Sequence, residues 1–514
     1  MPDDKSIIKG TALLTGAGFI VKLLGAAYRI PLARLIGAEG IGLYQMAYPV
    51  YLIFLSLSTA GLPIAISRIT ADQIARGNFA GAKQVFHASL YLLSGLGLAG
   101  SLAMALAARP LADKVVADPR AVFAMWAFAP AVFFMSLIAA FRGFFQGQQE
   151  MAPSAGSQVV EQAVRVGVAL ILAVVLLGSG VEHAAAGAAF GATAGGAAGL
   201  VFLILIYWKR RVRFKRFSAR RSGVRLGAVI SRLIRFALPI SVAVILMPLL
   251  QTLDSLIVPT KLQSIGYTVQ ESTSMLGILG NSWAVLYLPM IVTGAIASNL
   301  VPAITAALAG RARLEVKRRI HDGLRLAIIY LIPAAAGTFL LGGTIYRIIY
   351  GVNHIDILSW LAPAILFLGI EQVSASVLQG LGKPKLPLGN FTLGAVVKVI
   401  VTVVATGMPG LNLTGAALGT VCGSGLTAFL NLLAIKRLVP VGLSSVAKAS
   451  LAGCGMIGIG WYLMRILYLH YLLEFCIVGL LSVLSYGLIL WILGGITTAD
   501  REVIAKLFRK KETG

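Results

Sequence analysis

FIVKLLGAAYRIPLARLIGA, residues 19–38, reads as a membrane helix except that it carries Lys22, Arg29 and Arg34. The surrounding composition decides that reading. Of 514 residues, 58% are hydrophobic and 12% charged, and apolar runs of about twenty residues, enough to cross a bilayer as helix, recur along the chain. In lipid each backbone N–H and C=O needs a partner within its own segment, so such runs are helices. A closed barrel would need alternating segments of about ten residues, which are absent. The fold class is all-α, a polytopic membrane protein. MPDDKSIIKG at the N-terminus has no apolar stretch leading to a small-residue cleavage site, so no removable signal peptide is expected. Cys422, Cys454 and Cys476 sit in apolar runs without ligand spacing and are expected as small core residues, and the five histidines form no metal or triad pattern.

The apolar runs predict fourteen transmembrane helices, at 11–36, 43–67, 84–108, 121–141, 157–178, 184–208, 236–258, 276–302, 326–344, 355–380, 388–407, 412–435, 449–467 and 472–495. Charge tests this count, because cytoplasmic segments concentrate Lys and Arg. With the N-terminus inside, those segments hold 33 of the 44 basic residues, eleven of them in 209–235 and six in 311–325. Both termini are then cytoplasmic. The net charge of +25 follows from this topology and from contact with anionic phospholipids at the cytoplasmic face, and KRRVRFKRFSARR at 209–221 is read that way with no nucleic-acid partner.

The chain repeats itself. GAAFGATAG at 187–195 recurs as GAALGTVCG at 415–423, an offset of 228. QG at 146 and 379, and VRV at 164 against VKV at 397, share an offset of 233, while ITA at 69 and 304 gives 235. Six helices per copy is an even number, so the copies are parallel repeats about an axis along the membrane normal. The resulting plan is an N-lobe at 1–208 with helices 1–6, a basic cytoplasmic linker at 209–235, a C-lobe at 236–437 with helices 7–12, helices 13 and 14 at 438–495, and a cytoplasmic tail at 496–514. Gly187, Gly191, Gly195 and Gly199, like Gly415, Gly419 and Gly423, fall four apart and read as smooth packing stripes. GLGK at 380–383 lacks phosphate-loop spacing.

An ionisable side chain at membrane depth costs about 2.5–3.5 kcal/mol, so each is a candidate site residue. Lys22 and Arg29, two turns apart, share a helix face with Gly25 and Ala26, and Pro31 predicts a bend by freeing a carbonyl near Ala27. Arg34, near the outer end, can reach the interface. In SQVVEQAVRV, Gln158, Glu161, Gln162 and Arg165 share one side of a helix, and Glu161 with Arg165 has the favoured i to i+4 ion-pair order. The second copy offers Asp254, Glu371, Asn390 and Lys398. Two readings stand for these groups: neutralised pairs in a static core, or a hydrated cavity for an anionic substrate. Four residues or more from the ends of the predicted spans, the cations Lys22, Arg29, Arg165 and Lys398 outnumber the carboxylates Glu161, Asp254 and Glu371, which favours the cavity, and Arg34 adds a further cation nearer the outer end. Asp254 and Glu371 are candidates for coupling to sodium or to protons; no cofactor is expected.

YRIPLARLIGAEGIGLYQMAYPVY from Tyr28, RGFFQGQQEMAPSAGSQVVEQAVRV from Arg142 and the fourteen-span layout resemble the stage V sporulation protein B branch of the multidrug/oligosaccharidyl-lipid/polysaccharide (MOP) exporter superfamily. The skeleton at 22–38 is similar, more distantly, to that of lipid II flippases. The resemblance implies a V-shaped pair of lobes around a cationic cavity, a bacterial cytoplasmic membrane location, and outward movement of an undecaprenyl-diphosphate-linked saccharide by alternating access. It maps a sodium site of the second lobe onto Asp254 and Asn390, with Gly394 where a carboxylate ligand would be expected. From their own charge and shared face, Lys22 and Arg29 are expected to line the cavity and bind the diphosphate, Arg29 by paired hydrogen bonds and Lys22 as a point charge. Lipid II flippases carry an adjacent Arg-Asp pair where this chain has Tyr28-Arg29.

Three rival functions meet the sequence differently. A cation-coupled multidrug exporter would want an acidic, aromatic-lined cavity, against the excess of cations. A membrane glycosyltransferase would need clustered carboxylates or His with Arg in an outer loop, and the longest, 259–275, has none. A scaffold for cell-wall synthesis leaves the cost of buried charge unexplained. A monomeric transporter, not an enzyme, is expected.

Overall fold

A computed structural model of the chain describes residues 4–59, 61–215, 226–352, 356–439, 444–467 and 470–495, with the side chains of 4–12, 15, 19, 22, 210–215, 226, 236, 238–252 and 444–445 outside the description. Every regular element among these residues is helical: α1 Asp4–Ala27, α2 Arg29–Thr59, α3 Leu62–Ala75, α4 Phe79–Lys114, α5 Ala121–Gly147, α6 Met151–Leu177, α7 Val181–Lys215, α8 Leu226–Ser264, α9 Val269–Ala309, α10 Arg313–Tyr350, α11 Ile357–Gly380, α12 Lys385–Thr406, α13 Asn412–Leu438, α14 Ser444–Ile466 and α15 Tyr471–Ile492. Among the described residues, twelve helical segments are long and apolar enough to cross a membrane. The first, Gly16–Ala75, is 60 residues long and contains the predicted span 43–67 and all but the first five residues of the predicted span 11–36. The predicted span 236–258 falls on α8. The basic residues 216–225 and the tail 496–514 lie outside the described residues.

Two interruptions have local causes. Pro31 has no amide hydrogen for the Ala27 carbonyl, and α1 ends at Ala27 with a single turn residue, Tyr28, before α2. The predicted helix 43–67 is divided, because Gly61 adopts a left-handed conformation (φ 72°) and Pro63 opens α3. Only glycine takes that φ without strain, and proline at a helix start forgoes an amide that has no acceptor there.

The chain forms two compact units, Met1–Asn281 and Ser282–Gly514. In the first, α5 packs on α2, α3, α4 and α7, and α6 lies between α1 and α7. Phe86 of α4, Phe141 and Phe144 of α5 and Tyr207 of α7 interlock there, with Phe86 and Phe144 stacked at 4.4 Å. Helix α8 and the first turns of α9 also belong to this unit. Ser255 donates to the Gln45 carbonyl at 3.0 Å, and Thr273 donates to the fully buried Asp118 at 2.7 Å. Asp118 accepts from Arg120 Nη2 at 2.8 Å, and Arg120 also pairs with Glu39. These bonds, to Asp118 above all and then to Glu39, raise the Arg120 guanidinium above its ordinary pKa against its partial burial. Residues of 37–42, 109–120 and 259–275, which the charge pattern assigns to one side of the membrane, thus meet in one cluster. In the second unit α10 packs on α11, α14 and α15, and α13 on α11 and α12.

Packing follows the sequence repeat. A methyl group on Gly187, Gly191 or Gly195 of α7 would lie 2.9 Å from the Leu172 oxygen, 2.6 Å from the Arg165 oxygen or 2.5 Å from the Glu161 oxygen of α6. On α13, Gly415, Gly419 and Gly423 would meet the Ala405 oxygen at 2.7 Å, the Lys398 oxygen at 2.9 Å and the Lys398 Cβ at 2.6 Å. Both helix pairs therefore cross in one register, glycine against backbone. The three cysteines, expected in the core, are exposed on their helices. Against lipid an apolar side chain gains nothing by turning inward, so apolarity does not sort inside from outside as it does in water.

Gly191→Ala should lower stability by about 1–3 kcal/mol through overpacking, read as a lower thermal midpoint in detergent. Gly167→Ala, with nothing within 4 Å of its added methyl, should be neutral. Equal midpoints for the two variants would refute close glycine packing at the α6–α7 crossing.

Candidate functional site

In the first unit two guanidiniums gather on Glu161. Arg142 of α5 donates from Nη2 to Glu161 Oε2 at 2.9 Å, and Arg165 of α6 donates from Nη2 to Oε1, also at 2.9 Å. Arg142 Nε is held by the Ser157 hydroxyl at 2.9 Å, which in turn donates to the Ser154 carbonyl. The side chains are 15% (Arg142), 17% (Arg165) and 10% (Glu161) exposed, so one carboxylate neutralises only one of two largely buried guanidiniums. The cluster therefore carries one net positive charge. Its buried Arg165 Nε has no hydrogen-bond partner. Tyr44, Tyr48 and Tyr51 surround Arg165, stacking among themselves and on Phe128. A desolvated guanidinium with a spare donor suits a phosphate or carboxylate oxygen.

Arg142 was outside the sequence-predicted site. It stood one residue beyond the predicted span 121–141, whereas α5 continues to Gly147 and carries Arg142 inside the helical bundle. The i to i+4 pair of Glu161 and Arg165 is present as expected, but it is one arm of a triad. Gln158 is half-buried and Gln162 buried beside it on α6.

Helix α1 packs along α6, with Gly25 against Gln162, where an added methyl would lie 3.3 Å from Gln162 Nε2. Its residue Lys22 has a side chain outside the described residues. Arg29, at the start of α2, is half-buried and Arg34 exposed. The Tyr28 and Tyr44 hydroxyls lie 3.2 Å apart, tying the α1–α2 junction to the tyrosines around Arg165.

The second unit brings Lys398 of α12 over the Trp283 ring of α9 at 5.4 Å, within electrostatic reach of Glu371 of α11. Thr293 donates to Gln372 Oε1 at 2.7 Å. Asn390 donates to Asn431 at 2.9 Å. Asp254, half-buried on α8, belongs to the first unit and Asn390 to the second. Among the described residues no group of three or more His, Cys, Asp or Glu is placed to hold a metal ion.

Residues 7–308 match the family described as polysaccharide biosynthesis protein. Stage V sporulation protein B of Bacillus subtilis (strain 168) is 28% identical over 461 residues, covering 88% of this chain and 89% of that protein. The lipid II flippase MurJ of the same organism is 26% identical over 454 residues, covering 84% and 82%. Two solved structures share the fold. The inward closed conformation of the lipid II flippase MurJ aligns with a TM-score of 0.69 at 14% identity over 96% of this chain and 100% of that one. An inward-facing multidrug resistance MATE family transporter of the MOP superfamily aligns with a TM-score of 0.67 at 18% identity over 84% and 96%. The chain, with twelve helical segments long and apolar enough to cross a membrane among its described residues, is a multi-pass membrane protein that shares its fold with these two transporters, and it belongs to the polysaccharide biosynthesis protein family.

Proposed function

We propose that this protein flips an undecaprenyl-diphosphate-linked saccharide outward across the bacterial cytoplasmic membrane by alternating access, with both termini cytoplasmic and two six-helix lobes followed by two further helices. The observation that carries this reading is the Arg142–Glu161–Arg165 triad, a net cation held largely buried among packed helices. A diphosphate brings about two negative charges, and hydrocarbon alone would exclude it. Arg165 supplies its spare Nε donor, Lys22 and Arg29 add charge from α1 and α2, and Arg142 holds Glu161 so that Arg165 is not fully neutralised. The polyprenyl tail stays in lipid. The lipid II flippase among the relatives supports a substrate of this class. The protein acts as a monomer, with anionic phospholipids against the basic cytoplasmic segments, and draws on sodium or protons through Asp254, Glu371 or Asn390.

Arg165→Ala should weaken binding of undecaprenyl diphosphate about tenfold or more, whereas Glu161→Gln, which removes the only carboxylate of the triad, should tighten it. Both are read on purified protein by equilibrium binding. If the two substitutions shift affinity in the same direction, the triad is not the diphosphate site.

Arg29→Ala or Arg29→Glu should abolish complementation of a flippase-depleted strain, and outer-leaflet accessibility of the lipid-linked precursor, while membrane insertion stays normal. A complementing Arg29→Glu variant would remove Arg29 from the transport path.

A further inference from the structure

The second unit keeps the helix packing of the first but not the side chains inside it. On α7, a methyl group added to Gly195 would lie 2.5 Å from the Glu161 carbonyl oxygen and 2.9 Å from the Arg165 Cβ of α6. On α13, one added to Gly423 would lie 2.7 Å from the Gly394 carbonyl oxygen and 2.6 Å from the Lys398 Cβ of α12. The two helix pairs therefore match residue by residue, with Gly394 at the place of Glu161 and Lys398 at that of Arg165. The offset of 233 in the sequence agrees, and it puts Asn390 at the place of Ser157 and Ala375 at that of Arg142.

Bulk has moved from one helix to the other across that interface. In the first unit it stands on α6, and Gly199 of α7 makes room for it, an added methyl lying 3.3 Å from the Glu161 Cβ. In the second it stands on α13. Thr427, 228 residues after Gly199, fills the space, and a methyl on Gly394 would lie 2.0 Å from the Thr427 Oγ1 and 2.5 Å from the Gly423 carbonyl oxygen. One of these obstacles is backbone, so no carboxylate side chain can stand at 394 while the two helices pack as they do. The Thr427 hydroxyl turns back on its own helix, donating to the Gly423 carbonyl at 3.0 Å. Ser157 accepts from Arg142 in the first unit, whereas Asn390 donates to Asn431 of α13 at 2.9 Å. Thr427 and Asn431 are both buried.

The family resemblance maps a sodium site onto Asn390, with a carboxylate ligand expected at 394, and the residues present do not fit it. A buried cation needs oxygen ligands and a carboxylate to offset its charge. Here packing closes the place of the carboxylate, and the Asn431 oxygen is taken by Asn390. The group left over, the buried Asn431 Nδ2, has no hydrogen-bond partner and is a donor, which a cation repels. We propose that the α12–α13 interface is a neutral lock and not a cation site. Thr427 seated against Gly394 and the Asn390–Asn431 bond hold the pair together without sodium. Its bearing on transport rests on the reading given above, from whose coupling routes it removes sodium at Asn390.

The test uses purified full-length protein, with equilibrium binding of radioactive sodium and the thermal midpoint in sodium chloride against choline chloride at equal ionic strength. Asn390→Leu alone should lower the midpoint in both salts, because it strands a buried amide, and adding Asn431→Leu should recover most of the loss. The double variant should also keep the wild-type response to sodium, whatever that response is. Where the double variant does not fold, Thr427→Val, which keeps the shape and removes the hydroxyl, carries the same expectation for sodium. Sodium binding or a sodium-specific rise in midpoint that is present in the wild type and lost in either variant would overturn the neutral lock. So would a double variant less stable than Asn390→Leu. Neither result touches the diphosphate reading, since no lipid is present, and failure of undecaprenyl diphosphate to bind would overturn that reading while leaving the lock intact.

Discussion

A largely buried carboxylate shared by two guanidiniums is the constraint on which the first unit turns. Taking a charge from water into hydrocarbon is costly enough that an unpaired one is not retained without use. Glu161 satisfies an Nη2 donor from each arginine, one per oxygen, and Ser157 fixes Arg142 so that this partition holds. To keep Glu161 within reach of α5, α6 must lie close against its neighbours. Gly191 and Gly195 let α7 approach the backbone of α6 at Arg165 and Glu161 themselves. The glycine stripe is thus the packing that positions the charges.

The same packing in the second unit positions Lys398. Because α7 and α13 present glycine at matching places, α6 and α12 expose matching faces, and their divergent side chains become a record of what each copy holds. The first copy keeps surplus positive charge beside tyrosines. The second sets its cation, Lys398, over an indole instead. Duplication fixes where a side chain sits, and substitution changes what it can bind.

Much of this was legible in the residues. Apolar runs too long for a soluble core fixed an all-helical membrane protein, and four short matches at nearly constant offset revealed a repeat that the glycine contacts reproduce. The i to i+4 order of Glu161 and Arg165 was readable because it is local. The Arg142 arm was not, since it is a contact between helices and the apolar run stops at 141, six residues short of the end of α5. Hydropathy locates the apolar slab but not where a helix actually ends. The break at Gly61 was missed for a related reason: its flanks are apolar on both sides, and only the left-handed φ and the following Pro63 mark it. The cysteines turned outward because in lipid the sign of the burial argument is lost.

Retaining Glu161 costs affinity, and under the proposed function that cost has a use. Two desolvated arginines without a carboxylate would hold a diphosphate in whichever orientation it was first met, and a ligand bound equally tightly in two conformations shifts no equilibrium between them. A transport site has to be favourable enough to be entered and weak enough to be left. With Glu161 present, the incoming phosphate competes with a carboxylate already seated on Arg165, so binding exchanges one anion for another at the same guanidinium. A movement that draws α5 from α6 would separate Arg142 from Glu161 and free that carboxylate to reclaim Arg165, expelling the phosphate. The device needs the two arginines on different helices and the glutamate between them. That is the arrangement that the Arg142 and Arg165 bonds to opposite oxygens of Glu161 describe.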